Sequence, residues 1–389
     1  MVKSRRTPGD GIPVATGWES PDQIRRFRKA LQQWYRRHRR SFPWRETHDP
    51  YQIWISEIML QQTTVAAVIP YYERFFKRFP TLKSLAQAPE QDVLRHWEGL
   101  GYYSRARNLH RAAQLLIEEY AGDFPRTPQK LQQFPGIGRY TAGAIASFAF
   151  DLPAAIVEAN TQRLYARLTA LRGDPRSTQN QTALWGFAGS LHSTRGSGGE
   201  LNQALMELGG TICKPAAPGC DACPVRQFCH AFRDGVVDQI PEAGARKSMT
   251  DVHECALLIH RKGKWLVRQI PKGERWAGLW DFPRLKLGTL RNGIAPTLSG
   301  LSLSDRLREE FGIEAELTDQ LKRMKHTVTR YKIQLDLAVM EYASGKFSIA
   351  GPARWCKSEE LQELPLPVTG RKIAHLLQRT FSKGGDRLF

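Results

Sequence analysis

FPGIGRYTAGAIASFAF, residues Phe134–Phe150, is the stretch that organises the reading of this chain. Gly136 and Gly138 permit a tight turn, and the apolar spacing from Tyr140 to Phe150 is helical, so bare backbone amides open a helix and can hold a phosphate. Taken alone, such a turn is more often merely structural. The preceding stretch, Pro128–Phe134, is also helical. Further upstream, Ser20, Pro21 and Gln23 form an S-x-x-Q capping box followed by Ile24, Phe27, Leu31 and Trp34 at helical spacing. Asp49, Pro50 and Gln52 repeat the start signal before Tyr51–Leu60, which is apolar on nearly every side and predicts a buried helix. Helical patterns continue through Leu82–Ala86, Val93–Trp97, Arg105–Tyr120 and Asn160–Leu171. Residues 20–230 therefore read as all-α.

The character changes after residue 230. Residues 233–251 are polar, mixed in charge and aperiodic, as expected of a linker. Strand-like stretches follow at Ala256–Ile259 and Trp265–Gln269, then strict alternation at Tyr331, Ile333, Leu335, Leu337 and Val339. Helical patterns at Leu303–Phe311 and Val368–Thr380 complete an α+β domain.

A chain of 389 residues implies two or three domains, and 57 Lys+Arg against 38 Asp+Glu give a net charge of +19. A polyanion, nucleic acid first, is the expected partner. The first forty residues hold eleven Lys/Arg and three Asp/Glu, ending in Arg36, Arg37, His38, Arg39 and Arg40, although such a run is also what a solvated face looks like. No run of about eighteen apolar residues predicts a membrane span, and MVKSRRTPGDG lacks the apolar core of a secretory signal. A soluble, intracellular protein with no membrane partner is expected.

Cys213, Cys220, Cys223 and Cys229 stand as C-x6-C-x2-C-x5-C, four of the chain's six cysteines within seventeen residues. That crowding speaks for a metal site over scattered disulfides. Zinc accepts four cysteines, but its ribbons pair two C-x2-C hairpins and only one is present. Cys255 and Cys356 read as core residues.

Glu57 is the lone carboxylate of the buried stretch, flanked by Ile55, Ile58, Met59 and Leu60. Desolvation raises its pKa toward that of a general acid at neutral pH, unless buried donors satisfy it instead. Glu158, eighteen residues after Tyr140, precedes a helical pattern and by itself reads as a helix-start charge.

The strings Ser56–Thr63 (SEIMLQQT) and Gly99–Arg105 (GLGYYSR) strongly resemble the MutY adenine DNA glycosylases, and the resemblance spans roughly residues 40–380. The Phe134–Tyr140 string resembles the helix–hairpin–helix of base-excision glycosylases, and the cysteine spacing resembles the [4Fe–4S] loop of endonuclease III and MutY. The resemblance implies that Glu57 protonates departing adenine and that Glu158 stabilises the oxocarbenium sugar and assists water. It further implies that Tyr140 and Asn160 support Glu158, and that Arg40, Trp44 and Arg45 lie near the adenine pocket. Gln62 and Tyr102 would fill the vacated base stack, with Thr63 and Leu100 beside 8-oxoguanine and the amides at Gly136 and Gly138 on phosphate. Two features depart from the wider pattern. The family's V-D-G-N aspartate is here Glu158, followed by Ala159. Tyr140 stands where the endonuclease III branch carries a Schiff-base lysine, so monofunctional hydrolysis is expected.

Gly278–Pro283 (GLWDFP), Trp355 and Leu364–Pro367 (LPLP) resemble the Nudix-like C-terminal domain of MutY. In Asp305–Gly312, Arg306 replaces the first glutamate of the metal-binding Nudix helix, and a cation there opposes magnesium. His326–Arg330 aligns with the family's lesion-reading loop, with Val328, Thr329 and Arg330 replacing Phe, Ser and His. Thr329 keeps a hydroxyl able to accept from the N7–H of 8-oxoguanine. The expectation is thus a multidomain protein, an all-α helix–hairpin–helix glycosylase with an iron–sulfur loop followed by an α+β Nudix-like domain. Its divisions are a basic extension 1–19, helical domain 20–212, cluster loop 213–229, linker 230–250 and Nudix-like domain 251–389. It would act as a monomer with one [4Fe–4S] cluster on double-stranded DNA carrying A·8-oxoguanine or A·G mispairs. The location would be the bacterial cytoplasm at the nucleoid, or the nucleus or mitochondria of a eukaryote. Thymine release from T·G and a non-catalytic iron–sulfur DNA-binding module remain as alternatives.

Overall fold

The computed structural model describes residue 18 and residues 20–192, 198–242, 244, 248–289 and 303–381. The basic extension expected over 1–19 lies, Trp18 apart, outside the described residues. The chain divides into two compact units, residues 1–86 with 111–245 and residues 87–110 with 246–389.

The first unit is helical. Its α1 spans Pro21–His38, α2 Pro50–Leu60, α3 Val65–Arg78 and α4 Leu82–Ala86. Of the next pair, α5 (Glu90–His96) belongs to the second unit and α6 (Ser104–Tyr120) contributes to both. The rest of the first unit is α7 (Pro128–Leu131), α8 (Arg139–Phe150), α9 (Ala159–Leu168), α10 (Thr178–Ser190), α11 (Gly198–Thr211) and α12 (His230–Arg233).

The expected capping box at Ser20 is not made: Ser20 sits at the N-cap of α1 without a side-chain bond, and Pro21, with its φ already helical and no N–H to satisfy, starts the helix. At α2 the signal works as read. Asp49 Oδ1 accepts from Tyr51 N at 2.9 Å and Oδ2 from Gln52 Nε2 at 3.1 Å. Residues Tyr51 and Ile53–Met59 of α2 are all buried, Glu57 included. One core joins Phe27, Leu31 and Tyr35 of α1 to Leu164, Tyr165 and Leu168 of α9 and to α10 and α11, with Trp18 donating to the Leu168 carbonyl. A glycine is required where α11 crosses α9, because a Cβ on Gly209 would lie 2.9 Å from both the Cβ and the carbonyl oxygen of Asn160.

The second unit is a mixed sheet with helices. Its strands are β1 (Thr250–Arg261), β2 (Lys264–Gln269), β3 (Trp280–Asp281), β4 (Arg284–Thr289), β5 (Ile313–Val328), β6 (Tyr331–Gly345) and β7 (Ala353–Cys356). The order is β3-β2-β1-β6-β5, with β4 on β1 and β7 on β2. Only the β1–β6 pair is parallel among the described strands, registered from Thr250 against Tyr331 to His260 against Glu341. Three helices accompany the sheet: α13 (Leu303–Phe311), α14 (Ser358–Glu363) and α15 (Val368–Phe381). One core holds Leu307 and Phe311 of α13, the other Leu361, Ile373 and Leu377 of α14 and α15.

The stretch of strict alternation forms β6, and in its middle the intervening residues are buried as well. Asp336, Ala338 and Met340 are buried as fully as Leu335, Leu337 and Val339, because both faces of the sheet are covered. A buried carboxylate must be paired. Asp336 accepts from Arg323 Nη2 at 3.0 Å and meets His253 Nε2 at 2.7 Å.

Replacing Gly209 by Ala forces α11 and α9 apart. We expect about 1–3 kcal/mol of destabilisation, typical of overpacking, read as a lower melting temperature by circular dichroism; an unchanged midpoint would mean that the crossing yields freely.

Candidate active site

A cavity of about 100 Å³ lies among α2, α8, α9, α11 and the 3-10 turn Pro43–Arg45. Arg40, Trp44, Arg45, Glu57 and Asn160 line it together, so five residues singled out from sequence meet around one space. Glu57 is 3% exposed and enters from an apolar helix. Burial pushes its carboxyl up to about 7, against the opposing pull of the Tyr140 hydroxyl, which donates to Glu57 Oε2 at 2.5 Å; the nearby Glu158 raises it further. Tyr140 in turn is held well above its usual range, first by burial and then by the two carboxylates, so it remains a donor.

Glu158 sits at the N-cap of α9. Its Oε2 accepts from Asn160 N and its Oε1 from Thr161 N, both at 2.8 Å, while Thr161 Oγ1 accepts from Glu158 N at 2.9 Å. Both oxygens are thereby aimed by the helix start. Burial raises this carboxyl too, opposed by those amides and by Arg163. Asn160 is fixed from the other side: Arg163 Nη2 donates to its Oδ1 at 3.0 Å and to Gly209 O at 2.7 Å, and Arg163 Nε to Cys213 O at 2.7 Å.

Sequence reasoning missed Glu207. This carboxylate on α11 is fully buried, accepts from Arg40 Nε at 2.6 Å and Nη2 at 3.2 Å, and lies 2.8 Å from Arg45 Nη2. Burial works to raise its pKa, but the two guanidiniums outweigh it and hold the carboxyl below its usual range. Both cations also lie over the Phe42 ring, at 5.2 and 4.8 Å. The signal was available, since Glu207 is a lone carboxylate between Leu205, Met206 and Leu208, as Glu57 is among its own apolar neighbours.

Cys213, Cys220, Cys223 and Cys229 line a second cavity and are all unpaired thiols. The buried Arg167 donates from Nη1 to Cys213 Sγ at 3.3 Å and to Lys214 O at 2.7 Å, and its own carbonyl accepts from Cys229 Sγ at 3.4 Å. Burial lifts the Cys223 thiol to about 12 and that of Cys229 to about 11, and the neighbouring sulfurs add to the rise. Among the described residues no group of three or more His, Cys, Asp or Glu side chains is arranged to hold a metal ion.

Elsewhere in the first unit, Gln62 follows α2 with a left-handed φ of 59°, and the Thr63 hydroxyl donates to Gln61 O. Gly136 has φ 79° and Gly138 N-caps α8, with open space where a side chain would stand on Gly138. In the second unit, Leu100 is buried while Tyr102 is 45% exposed at φ 47°. Thr329 lies with Arg330 in the exposed turn between β5 and β6, its hydroxyl donating to Val328 O at 2.7 Å, and Arg330 covers the Tyr331 ring. Arg306 pairs with Glu310 along α13.

Two family patterns match. That of the HhH-GPD superfamily of base excision DNA repair proteins covers residues 55–188, and that of the NUDIX domain covers residues 254–376. Among whole proteins, the human adenine DNA glycosylase is 41% identical over 274 residues, 67% of this chain and 49% of its own. The adenine DNA glycosylase of Rattus norvegicus is 43% identical over 66% of this chain and 51% of its own. That of Buchnera aphidicola subsp. Acyrthosiphon pisum is 34% identical over 67% of this chain and 74% of its own. The chain belongs to the adenine DNA glycosylase family. It spans about half the length of the mammalian relatives it matches.

The Glu57 carboxyl should titrate with a midpoint near 7, and Tyr140→Phe should raise it, because the lost hydrogen bond favours the charged form. Carbon-13 NMR of labelled glutamate reads both; a midpoint in the ordinary carboxyl range would contradict the burial argument.

Proposed function

We propose that this protein hydrolyses the N-glycosidic bond of adenine mispaired with 8-oxoguanine or guanine in double-stranded DNA. The observation that carries the reading is Glu57, a carboxyl kept protonatable near neutrality by burial and held in place by Tyr140 at the wall of the cavity. An acid of that kind suits a leaving group that departs only once protonated. Arg40, Trp44 and Arg45 receive the extruded base, with Glu207 orienting the two arginines. Glu57 donates its proton to a ring nitrogen of adenine as the bond to the anomeric carbon breaks, and the bonding pair leaves with the base. Glu158 faces the developing cationic sugar as a carboxylate. Water adds its oxygen to the anomeric carbon and gives its proton to that carboxylate. Asn160, clamped by Arg163, supports Glu158. Tyr140 offers no amine for a Schiff base, so the strand stays intact after base release.

The base leaves its stack at a cost of a few kcal/mol. Gln62, Thr63, Leu100 and Tyr102 compensate on the DNA side, while amides at Gly136 and Gly138 hold phosphate. Val328, Thr329 and Arg330 read the opposite 8-oxoguanine, the Thr329 oxygen accepting from its N7–H. The site at Arg306, already paired with Glu310, is not built for magnesium. Cys213, Cys220, Cys223 and Cys229 would hold one [4Fe–4S] cluster: the four thiols line one cavity, and the Arg167 cation at the Cys213 sulfur would offset the negative charge of a thiolate-bound cluster. Such a group would cross-link residues 213–229 into a rigid loop.

Single-turnover base release on A·8-oxoguanine, A·G and T·G duplexes tests the proposal; faster thymine than adenine release, or tight binding without release, would overturn it. Glu57→Gln should slow release by about 10²–10⁴-fold, since an amide donates no acidic proton. In the unsubstituted protein the rate should fall by about tenfold per unit above pH 7, where the Glu57 carboxyl loses its proton, and fall again in the acid range, where the Glu158 carboxylate is neutralised.

Glu158→Asp withdraws the carboxylate by one methylene and should slow release, with Glu158→Ala slower by about 10²-fold or more. Acceleration by aspartate would mean that the longer side chain is misplaced.

A further inference from the structure

The turn that displays Tyr102 is conformationally demanding. Gly99, Gly101 and Tyr102 all have left-handed φ values of 98°, 70° and 47°, and for tyrosine that conformation is costly. Such a backbone persists only where its surroundings fix it. An inner frame is local: Arg105 Nη2 donates to Leu100 O at 2.9 Å and to Gly101 O at 3.2 Å, and its guanidinium lies 5.7 Å from the Tyr102 ring centroid.

An outer frame comes from α15 and the segment before it. Arg371 grips Glu98 in a two-pronged pair, Nε to Oε1 at 2.7 Å and Nη2 to Oε2 at 2.9 Å, with both side chains largely buried. Glu98 also accepts from Leu366 N at 3.3 Å. The other arm of the turn ends on the same segment, for the Tyr103 hydroxyl meets Leu366 O at 3.5 Å. Arg371 further donates to Leu361 O at 3.1 Å and to Leu364 O at 2.6 Å, so it is itself rigidly held. Upstream, Gln91 Nε2 donates to Gly278 O and its Oε1 accepts from Trp280 Nε1, both at 3.0 Å.

We propose that Arg371 is a positioning residue for base extrusion: through Glu98 it sets the turn that presents Tyr102 to DNA, so the unit that carries the lesion-reading turn also holds the residue that enters the base stack. This rests on the reading of Tyr102 as that residue. Lysine at 371 keeps the charge but loses the fork, so it would hold Glu98 less firmly.

The test follows extrusion by fluorescence of 2-aminopurine placed opposite 8-oxoguanine, in the full-length protein, with Tyr102→Ala, Arg371→Met, Arg371→Lys, Glu98→Gln and the Arg371→Met/Tyr102→Ala double variant. Arg371→Met should reduce the extruded fraction by about tenfold, Arg371→Lys by less, and the double variant by no more than Tyr102→Ala alone, since both changes remove one function. Merely structural damage would instead multiply with the loss from Tyr102→Ala, and that outcome overturns the proposal, as does wild-type extrusion by Arg371→Met. Should Arg371→Met fail to fold, Glu98→Gln and the Glu98→Gln/Tyr102→Ala double variant carry the same comparison. If Tyr102→Ala itself extrudes the base normally, the reading of Tyr102 fails and the proposal falls with it; if Tyr102→Ala is defective while Arg371→Met and Glu98→Gln are not, only the proposal fails.

Discussion

The hydrogen bond from the Tyr140 hydroxyl to the buried Glu57 carboxyl ties α2 to α8, and the candidate site is assembled around it. Burial in so apolar a helix pushes the carboxyl up, the Tyr140 donor and the Arg45 cation pull against it, and the balance stands at about 7. The balance needs a dry helix and a donor whose own proton stays on. Both come from burial. The same closure that excludes water from Glu57 keeps Tyr140 a donor, so stability and chemistry draw on one packing arrangement.

The helix α9 then distributes that arrangement through the first unit. Its N-cap is Glu158, its first turn holds Asn160, and Arg163 and Arg167 follow one turn apart on a shared side. Arg163 binds the Asn160 side chain and the Cys213 carbonyl, and Arg167 reaches the Cys213 sulfur and the loop carbonyls beyond it. Two buried guanidiniums thus join the pocket floor to the cysteine loop. Each is tolerable in the interior because neutral carbonyls satisfy its donors. Disturbance at the cysteines would reach Asn160 through a single side chain.

In the second unit the governing constraint is coverage of the sheet on both faces. It buries the middle of β6, Leu335–Met340, on both sides and obliges Asp336 to find Arg323 and His253. The β5–β6 turn, with Thr329 and Arg330, is the exposed end of the hairpin.

What the sequence determined by itself was whatever depends on near neighbours. Asp49-Pro50 announced α2, the periodic stretches over Leu82–Ala86 and Leu303–Phe311 coincide with α4 and α13, and Glu57 stood out as the one charge in a buried helix. The cysteine spacing needed no structure to be noticed. Tertiary structure decided whatever joins residues far apart. Tyr140 and Glu57 are 83 residues apart, Arg40 and Glu207 are 167, and Glu98 and Arg371 are 273. No periodicity records such pairs. Helices α3, α10 and α11 were not singled out within the all-α stretch, and with α11 went Glu207. The alternation along β6 was legible in the sequence, yet the burial of Asp336, Ala338 and Met340 between its apolar positions was not. Alternation states which residues share a side of a strand, whereas what covers each side is settled only when the helices pack.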